Sequence, residues 1–267
     1  MVSDFHNDVL TARSCSRLLS EYASSENKIC CAYFKGSRTF ADAYSACKRF
    51  VAEKSDDLFL AFEDLSYTED LSALGALLDL SPVYVTLTWN ETNIFGGGAR
   101  STAGLTELGK KLIAELNARG IALDLAHANE RTFFEAIELA DRPVCSHACF
   151  SAVEPHFRNL SEREVASLAE KGGLIGLTFY RPFVSHKRNV FAEDVLRHID
   201  WFSERFPNKF LAIGTDFNGC DEFPEGFSDY SYETVLRETL YKSGYDESVA
   251  DGILYKNLSS FLASVRA

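Results

Sequence analysis

Apolar positions along the chain gather into eight short runs rich in β-branched and aromatic residues. They are Val2–Asp8, Ile29–Phe34, Leu58–Glu63, Val83–Trp89, Ile121–His127, Pro143–His147, Leu174–Tyr180 and Phe210–Asp216. Runs of this length, bounded by turn residues, predict strands. The stretches between them carry a helical period. Thr106 is the predicted cap of a helix over Glu107–Arg119 that stops at Gly120. Ser161 and Glu164 form a capping box opening a helix over Glu162–Lys171, ended by Gly172-Gly173. From about Tyr232 the tail is helical in character. Strands alternating with helices imply a parallel α/β sheet, and eight repeats imply a (β/α)8 TIM barrel, with an open doubly wound sheet as the alternative. No linker interrupts the pattern, so residues 1–267 are expected to form one domain, with additional C-terminal helices from about residue 231. Gly96-Gly97-Gly98 is expected to be the most flexible loop. It lacks the Gly-Lys-Ser/Thr ending of a phosphate-binding loop, which argues against a nucleotide site.

Composition narrows the function classes. A chain of 267 residues can bury roughly three quarters of its unfolded surface. No apolar stretch approaches a membrane span, and no basic segment followed by an apolar one marks a leader, so a soluble, cytoplasmic protein is expected. A net charge of −12 argues against nucleic acid or an anionic membrane as a partner. The seven cysteines (15, 30, 31, 47, 145, 149 and 220) are odd in number and contain no Cys-x-x-Cys. Reduced, mostly buried thiols are the expectation.

Chemistry enters with His6-Asn7-Asp8. Residues two apart on a strand share a face, so an imidazole and a carboxylate can aim at one point, as zinc requires. The other metal-competent side chains also close apolar runs: Glu63 the third, His127 the fifth, His147 the sixth and Asp216 the eighth. In a β/α barrel the strand C-termini gather at the face where active sites are built. Each residue alone has a plainer reading. A histidine at a strand end can be structural, Glu63 and Asp64 can open a helix, and Asp216 can serve an Asx-type turn. Their joint placement favours a metal site. Two divalent cations would balance Asp8, Glu63, Asp216 and a bridging hydroxide, whereas one would leave three carboxylates in mutual repulsion.

With these residues in view, the chain resembles the renal or membrane dipeptidases (peptidase family M19), zinc-dependent barrel enzymes of the amidohydrolase type. The matching stretches run in order: residues 4–8 (DFHND), 85–88 (VTLT), 105–109 (LTELG), 123–127 (LDLAH), 143–147 (PVCSH), 158–160 (RNL) and 214–219 (GTDFNG). The resemblance implies two Zn2+ ions per chain, one held by His6 and Asp8, the other by His127 and His147, with Glu63 bridging. It implies Asp216 as general acid/base and Arg158 as the reader of a dipeptide's C-terminal carboxylate. Tyr180 is a candidate pocket residue. Where the family commonly carries a histidine after the fourth strand, this chain has Trp89, so Trp89 or the neighbouring Asn90 is expected to line the substrate instead. Asn218 and Asp64 also replace common family residues. The reading is a zinc-dependent dipeptidase, with a metal-dependent hydrolase of another small amide or lactam, or a catalytically weak ligand-binding relative, as alternatives. Family members often pair, so a homodimer is a further expectation.

Overall fold

A computed structural model describes residues 1–11, 28–33, 39–65, 68 and 71–266. Cys15 and Phe34, at the end of the second apolar run, lie outside these residues. Eight strands are found: β1 (Asp4–Asn7), β2 (Lys28–Ala32), β3 (Leu58–Glu63), β4 (Tyr84–Thr86), β5 (Ala122–Asp124), β6 (Pro143–Ala148), β7 (Ile175–Leu177) and β8 (Leu211–Ile213). They follow one another in sequential order within a single sheet. The pairings from β3 through β8 are parallel, with helices in the connections. This is the topology of a (β/α)8 barrel.

The predicted helix ends are found where the capping chemistry placed them. Thr106 accepts a hydrogen bond from Gly109 N, and the helix Glu107–Arg119 ends at Gly120 in left-handed backbone. The Ser161–Glu164 capping box opens Glu162–Glu170, with Lys171 as the C-cap rather than the last helical residue. Helices Tyr232–Lys242, Glu247–Asp251 and Asn257–Arg266 form the tail.

The described residues divide into two compact units. One contains residues 1–7, Lys28 and 145–266, and so holds β1, most of β6, β7 and β8. Its interior is aromatic: Phe150 packs on Trp201 and Phe202, and Tyr232 sits among Phe179, Phe217 and Phe227. Gly176 on β7 and Gly214 after β8 both lie against the Ser146 carbonyl oxygen, so closely that a Cβ at either would collide with it. The absent side chains let β6 lie tight against its neighbours next to His147.

The other unit contains residues 8–11 and the described part of 29–144, with most of β2 and all of β3, β4 and β5. In register, Glu63 pairs with Thr86, and Thr86 with Asp124. The expectation of a flexible loop at Gly96-Gly97-Gly98 is corrected here. All three glycines are buried. Gly97 N donates to Thr132 Oγ1 at 3.0 Å and Gly98 N to the Glu91 carbonyl at 3.2 Å. Glycine serves close packing at this point rather than mobility.

Candidate metal centre

The first unit brings together His6, His147 and Asp216. His6 lies within β1 and His147 within β6, and both imidazoles are almost fully buried. Their ring centroids are 3.9 Å apart. Two buried rings at that distance would repel strongly if both were cationic, which favours the neutral state that ligates metals. Ser146 Oγ lies 2.9 Å from His147 Nδ1 and 3.4 Å from His6 Nδ1. When this hydroxyl accepts from His147 Nδ1–H, the Nε2 lone pair is left for a cation.

Asp216 does not end β8 directly. It lies three residues beyond, at φ +63°. Its N–H donates to the His6 carbonyl at 3.0 Å, and its carbonyl accepts from Gly219 N, closing a turn. The carboxylate Oδ1 is 3.9 Å from His6 Nε2. Left-handed backbone is costly for most residues but tolerated by aspartate, and it tends to persist where the surroundings enforce it.

Beneath this pair lies Asp4, fully buried. Its carboxylate accepts from His6 N at 3.2 Å, Thr215 N at 2.9 Å, Thr215 Oγ1 at 2.8 Å and Tyr230 OH at 2.6 Å. Burial pushes the Asp4 carboxyl above its ordinary value, while the bonds from Tyr230, Thr215 and His6 pull against the shift. Nothing in the hydrophobic pattern singles out this hub, because Asp4, Thr215 and Tyr230 are far apart in sequence.

Arg158 and Tyr180 belong to the same unit. Arg158 is only 4% exposed. Its guanidinium lies 5.4 Å over the Phe183 ring, and Nη2 donates to the His147 carbonyl at 3.5 Å. Tyr180 packs edge-on against Phe183 at 4.7 Å. Burial, with the Glu222, Asp221 and Asp216 carboxylates nearby, pushes its phenol upward. His198 holds the backbone that follows His147. Its Nδ1 accepts from Phe150 N at 3.3 Å, and its Nε2–H donates to the Val184 carbonyl at 3.0 Å.

The second unit holds Asp8, Glu63, His127, Trp89 and Asn90. Glu63 is the last residue of β3, whereas His127 lies three residues past β5, at φ +66°. The local sequence accounts for this. Asp124 Oδ1 accepts from Ala126 N at 3.1 Å, and Ala128 N donates to the Leu125 carbonyl at 3.2 Å, so the chain turns with His127 at its left-handed corner. His127 Nε2 is 2.7 Å from Glu63 Oε1, while Nδ1 is 2.9 Å from Asn90 Oδ1. With Nδ1–H donating to the amide oxygen, the Nε2 lone pair faces a carboxylate oxygen. Two acceptors at that distance repel unless a cation or a proton lies with them. A divalent metal fits this donor set, since imidazole and carboxylate oxygen are ordinary zinc ligands.

Trp89 stacks on the His127 ring at 5.8 Å and meets Tyr33 at 5.6 Å. A second connection reaches Asp8: Tyr33 N donates to Thr11 Oγ1 at 3.0 Å, and Thr11 Oγ1 lies 3.2 Å from Asp8 Oδ1. Burial together with Glu63, Asp64 and Asp8 pushes the Tyr33 phenol strongly upward. Sequence reasoning passed over Tyr33, Asp4, Ser146, Thr215, Tyr230 and His198. Asp4, Ser146 and Thr215 lie inside the matching stretches beside His6, His147 and Asp216, but no role was assigned to them; Tyr33, Tyr230 and His198 carried no such local signal. No described helix is long and apolar enough to cross a membrane.

Comparison with known proteins agrees with this chemistry. A family model described as membrane dipeptidase (peptidase family M19) matches residues 14–266. An uncharacterised protein of the pqqA 5′ region of Klebsiella pneumoniae is 30% identical over 190 residues, covering 66% of this chain and 70% of that protein. Dipeptidase 3 of Mus musculus is 27% identical over 202 residues, covering 72% of this chain and only 41% of its own. A metallopeptidase from Rhodobacter sphaeroides, solved with a phosphinate mimic of the dipeptide L-Ala-D-Ala, superposes with a TM-score of 0.83 at 22% identity, over 99% of both chains. That likeness shows a shared fold, the (β/α)8 barrel that the strand order describes. The chain belongs to the membrane dipeptidase family of metallopeptidases, peptidase family M19.

Proposed function

We propose that this protein is a zinc-dependent dipeptidase built as a single (β/α)8 domain. The observation that carries the reading is the His127–Glu63 contact at 2.7 Å with Asn90 on the far ring nitrogen, a geometry suited to a cation. Family membership and the dipeptide mimic bound by the Rhodobacter relative support it. In this reading His6 and Asp8 hold one zinc ion, His127 and His147 the other, and Glu63 serves both. Bound there, a pair of ions supplies a water of lowered pKa and polarises the scissile carbonyl.

The chain's own residues do the rest. Asp216 Oδ accepts the proton of the attacking water and returns it to the leaving amine. Arg158 binds the substrate's C-terminal carboxylate, and its burial supports this, because a buried guanidinium is strongly favoured by an anionic partner. Asn90 orients His127, and Trp89 with Tyr33 forms the wall beside it. That aromatic wall favours a second reading, a hydrolase of another small amide or lactam, because an indole replaces a group that can be cationic. An odd count of seven cysteines with no Cys-x-x-Cys pair supports a reducing, cytoplasmic setting, and a homodimer completes the proposal.

A panel of L,L and L,D dipeptides on zinc-loaded protein tests the reading. Cleavage of at least one dipeptide faster than its C-terminal amide is expected, and no preference for the free carboxylate would overturn it. Arg158→Met should raise KM for dipeptides about 10- to 100-fold, the worth of a charge-assisted carboxylate contact. An unchanged KM would remove Arg158 from that role.

A further inference from the structure

We propose that Asp4 and Tyr230 are positioning residues that fix the reach between His6 and Asp216, working through Thr215. Asp4 spreads its two carboxylate oxygens over the two segments that carry these groups. Oδ1 accepts from the backbone N–H of His6 at 3.2 Å and of Thr215 at 2.9 Å. Oδ2 accepts from Thr215 Oγ1 at 2.8 Å and Tyr230 OH at 2.6 Å. Thr215 in turn lies between the two functional residues. Its hydroxyl is 3.3 Å from the His6 carbonyl and accepts from Phe217 N at 3.1 Å, and the next residue, Asp216, donates its own N–H to that same carbonyl at 3.0 Å. Asp216 therefore stands in left-handed backbone between two residues anchored, directly or through one hydroxyl, to Asp4.

A carboxylate is suited to this place because it only accepts, and every group around it donates. A fully buried carboxylate with five donors, Asn7 Nδ2 at 3.5 Å being the fifth, is also a rigid object, since losing a short bond leaves an oxygen lone pair unsatisfied. Tyr230 supplies the shortest of these bonds, from a segment fourteen residues past Asp216. Its ring is held by Phe217 at 5.2 Å and by the buried ammonium of Lys28, 5.0 Å over its face. The bonds of Asp4 and Tyr230 run to one another, to backbone and to the Thr215 hydroxyl, so the effect of this hub on the centre passes through the placement of His6 and Asp216.

The test compares Tyr230→Phe, Thr215→Val and Thr215→Ser with Tyr245→Phe. Tyr245 OH makes a bond of similar length, 2.7 Å, to Asp200 in the same unit. It serves as the control for a tyrosine–aspartate bond with a purely structural role. Two readouts are used: affinity and visible absorption on cobalt(II) titration, and the kcat and KM of dipeptide cleavage, the latter resting on the dipeptidase reading. Tyr230→Phe is expected to weaken cobalt binding and lower kcat about 10-fold with KM held within twofold, and Thr215→Val to do so by about 10- to 100-fold, as orienting partners of metal ligands do. Thr215→Ser should restore both, and Tyr245→Phe should change neither. Wild-type cobalt affinity, spectrum and kcat in Tyr230→Phe and Thr215→Val would overturn the proposal, as would equal changes in Tyr245→Phe. Protein that binds metal yet cleaves no dipeptide would fail the dipeptidase reading alone, with affinity and spectrum still deciding the positioning role. Protein that binds no metal would overturn both.

Discussion

The two units hold their imidazoles by different means. In the unit with β1 and β6, His6 and His147 are strand residues, their rings in contact at 3.9 Å, flanked by a serine hydroxyl and backed by the Asp4 hub. In the unit with β3 and β5, His127 leaves the strand for a left-handed corner, and its orientation comes from one amide oxygen and one stacked indole. A ligand on a strand inherits its direction from the sheet. A ligand on a turn must be aimed by neighbouring side chains, so single replacements should matter more there.

The largest effect should come from Glu63→Gln, which keeps the shape but presents a neutral amide to His127 Nε2. Dipeptide cleavage should fall to background and metal content should drop, as read by turnover and elemental analysis. Retained activity would remove Glu63 from the centre. Next is His198, whose pKa burial lowers to about 4. The folded protein prefers the neutral ring, so its contribution is complete above about pH 6.5 and is lost as pH falls from there toward 4. The shift corresponds to about 3 kcal/mol. Thermal unfolding between pH 4 and 7 should show an acid limb that flattens in His198→Gln; an unchanged limb would assign it to other groups.

Asn90→Ala and Ser146→Ala test the contrast itself. Asn90→Ala should weaken zinc binding about 10- to 100-fold, and Ser146→Ala should do so by less, because β6 still aims His147. Equal losses would break the distinction. Smallest is Gly120→Ala, at the left-handed cap of Glu107–Arg119, where open space leaves only the backbone cost. Denaturant unfolding should register about 1 kcal/mol with no change in metal affinity.

The fold was largely legible because each element announces itself locally. All eight apolar runs overlap a strand, and the Thr106 and Ser161 caps stand where hydroxyl spacing put them. The metal-competent side chains were legible by type and by order. Their exact seats were not, since His127 and Asp216 lie past their strands in turns set by Asp124 and by the bond from Asp216 N to His6. The supporting partners were the least legible. Asp4 belongs to the DFHND stretch but shows no role of its own there, and only the folded chain brings Thr215 and Tyr230 to it. Gly96-Gly97-Gly98 misled for a related reason: glycine permits close packing as readily as mobility, and only the neighbours decide.

Zinc stoichiometry tests the central claim most directly. Protein stripped with chelator and titrated with zinc should take up about two equivalents, with dipeptide turnover appearing only as they bind. Uptake below one equivalent, with stripped and loaded protein equally active or equally inactive, would contradict it.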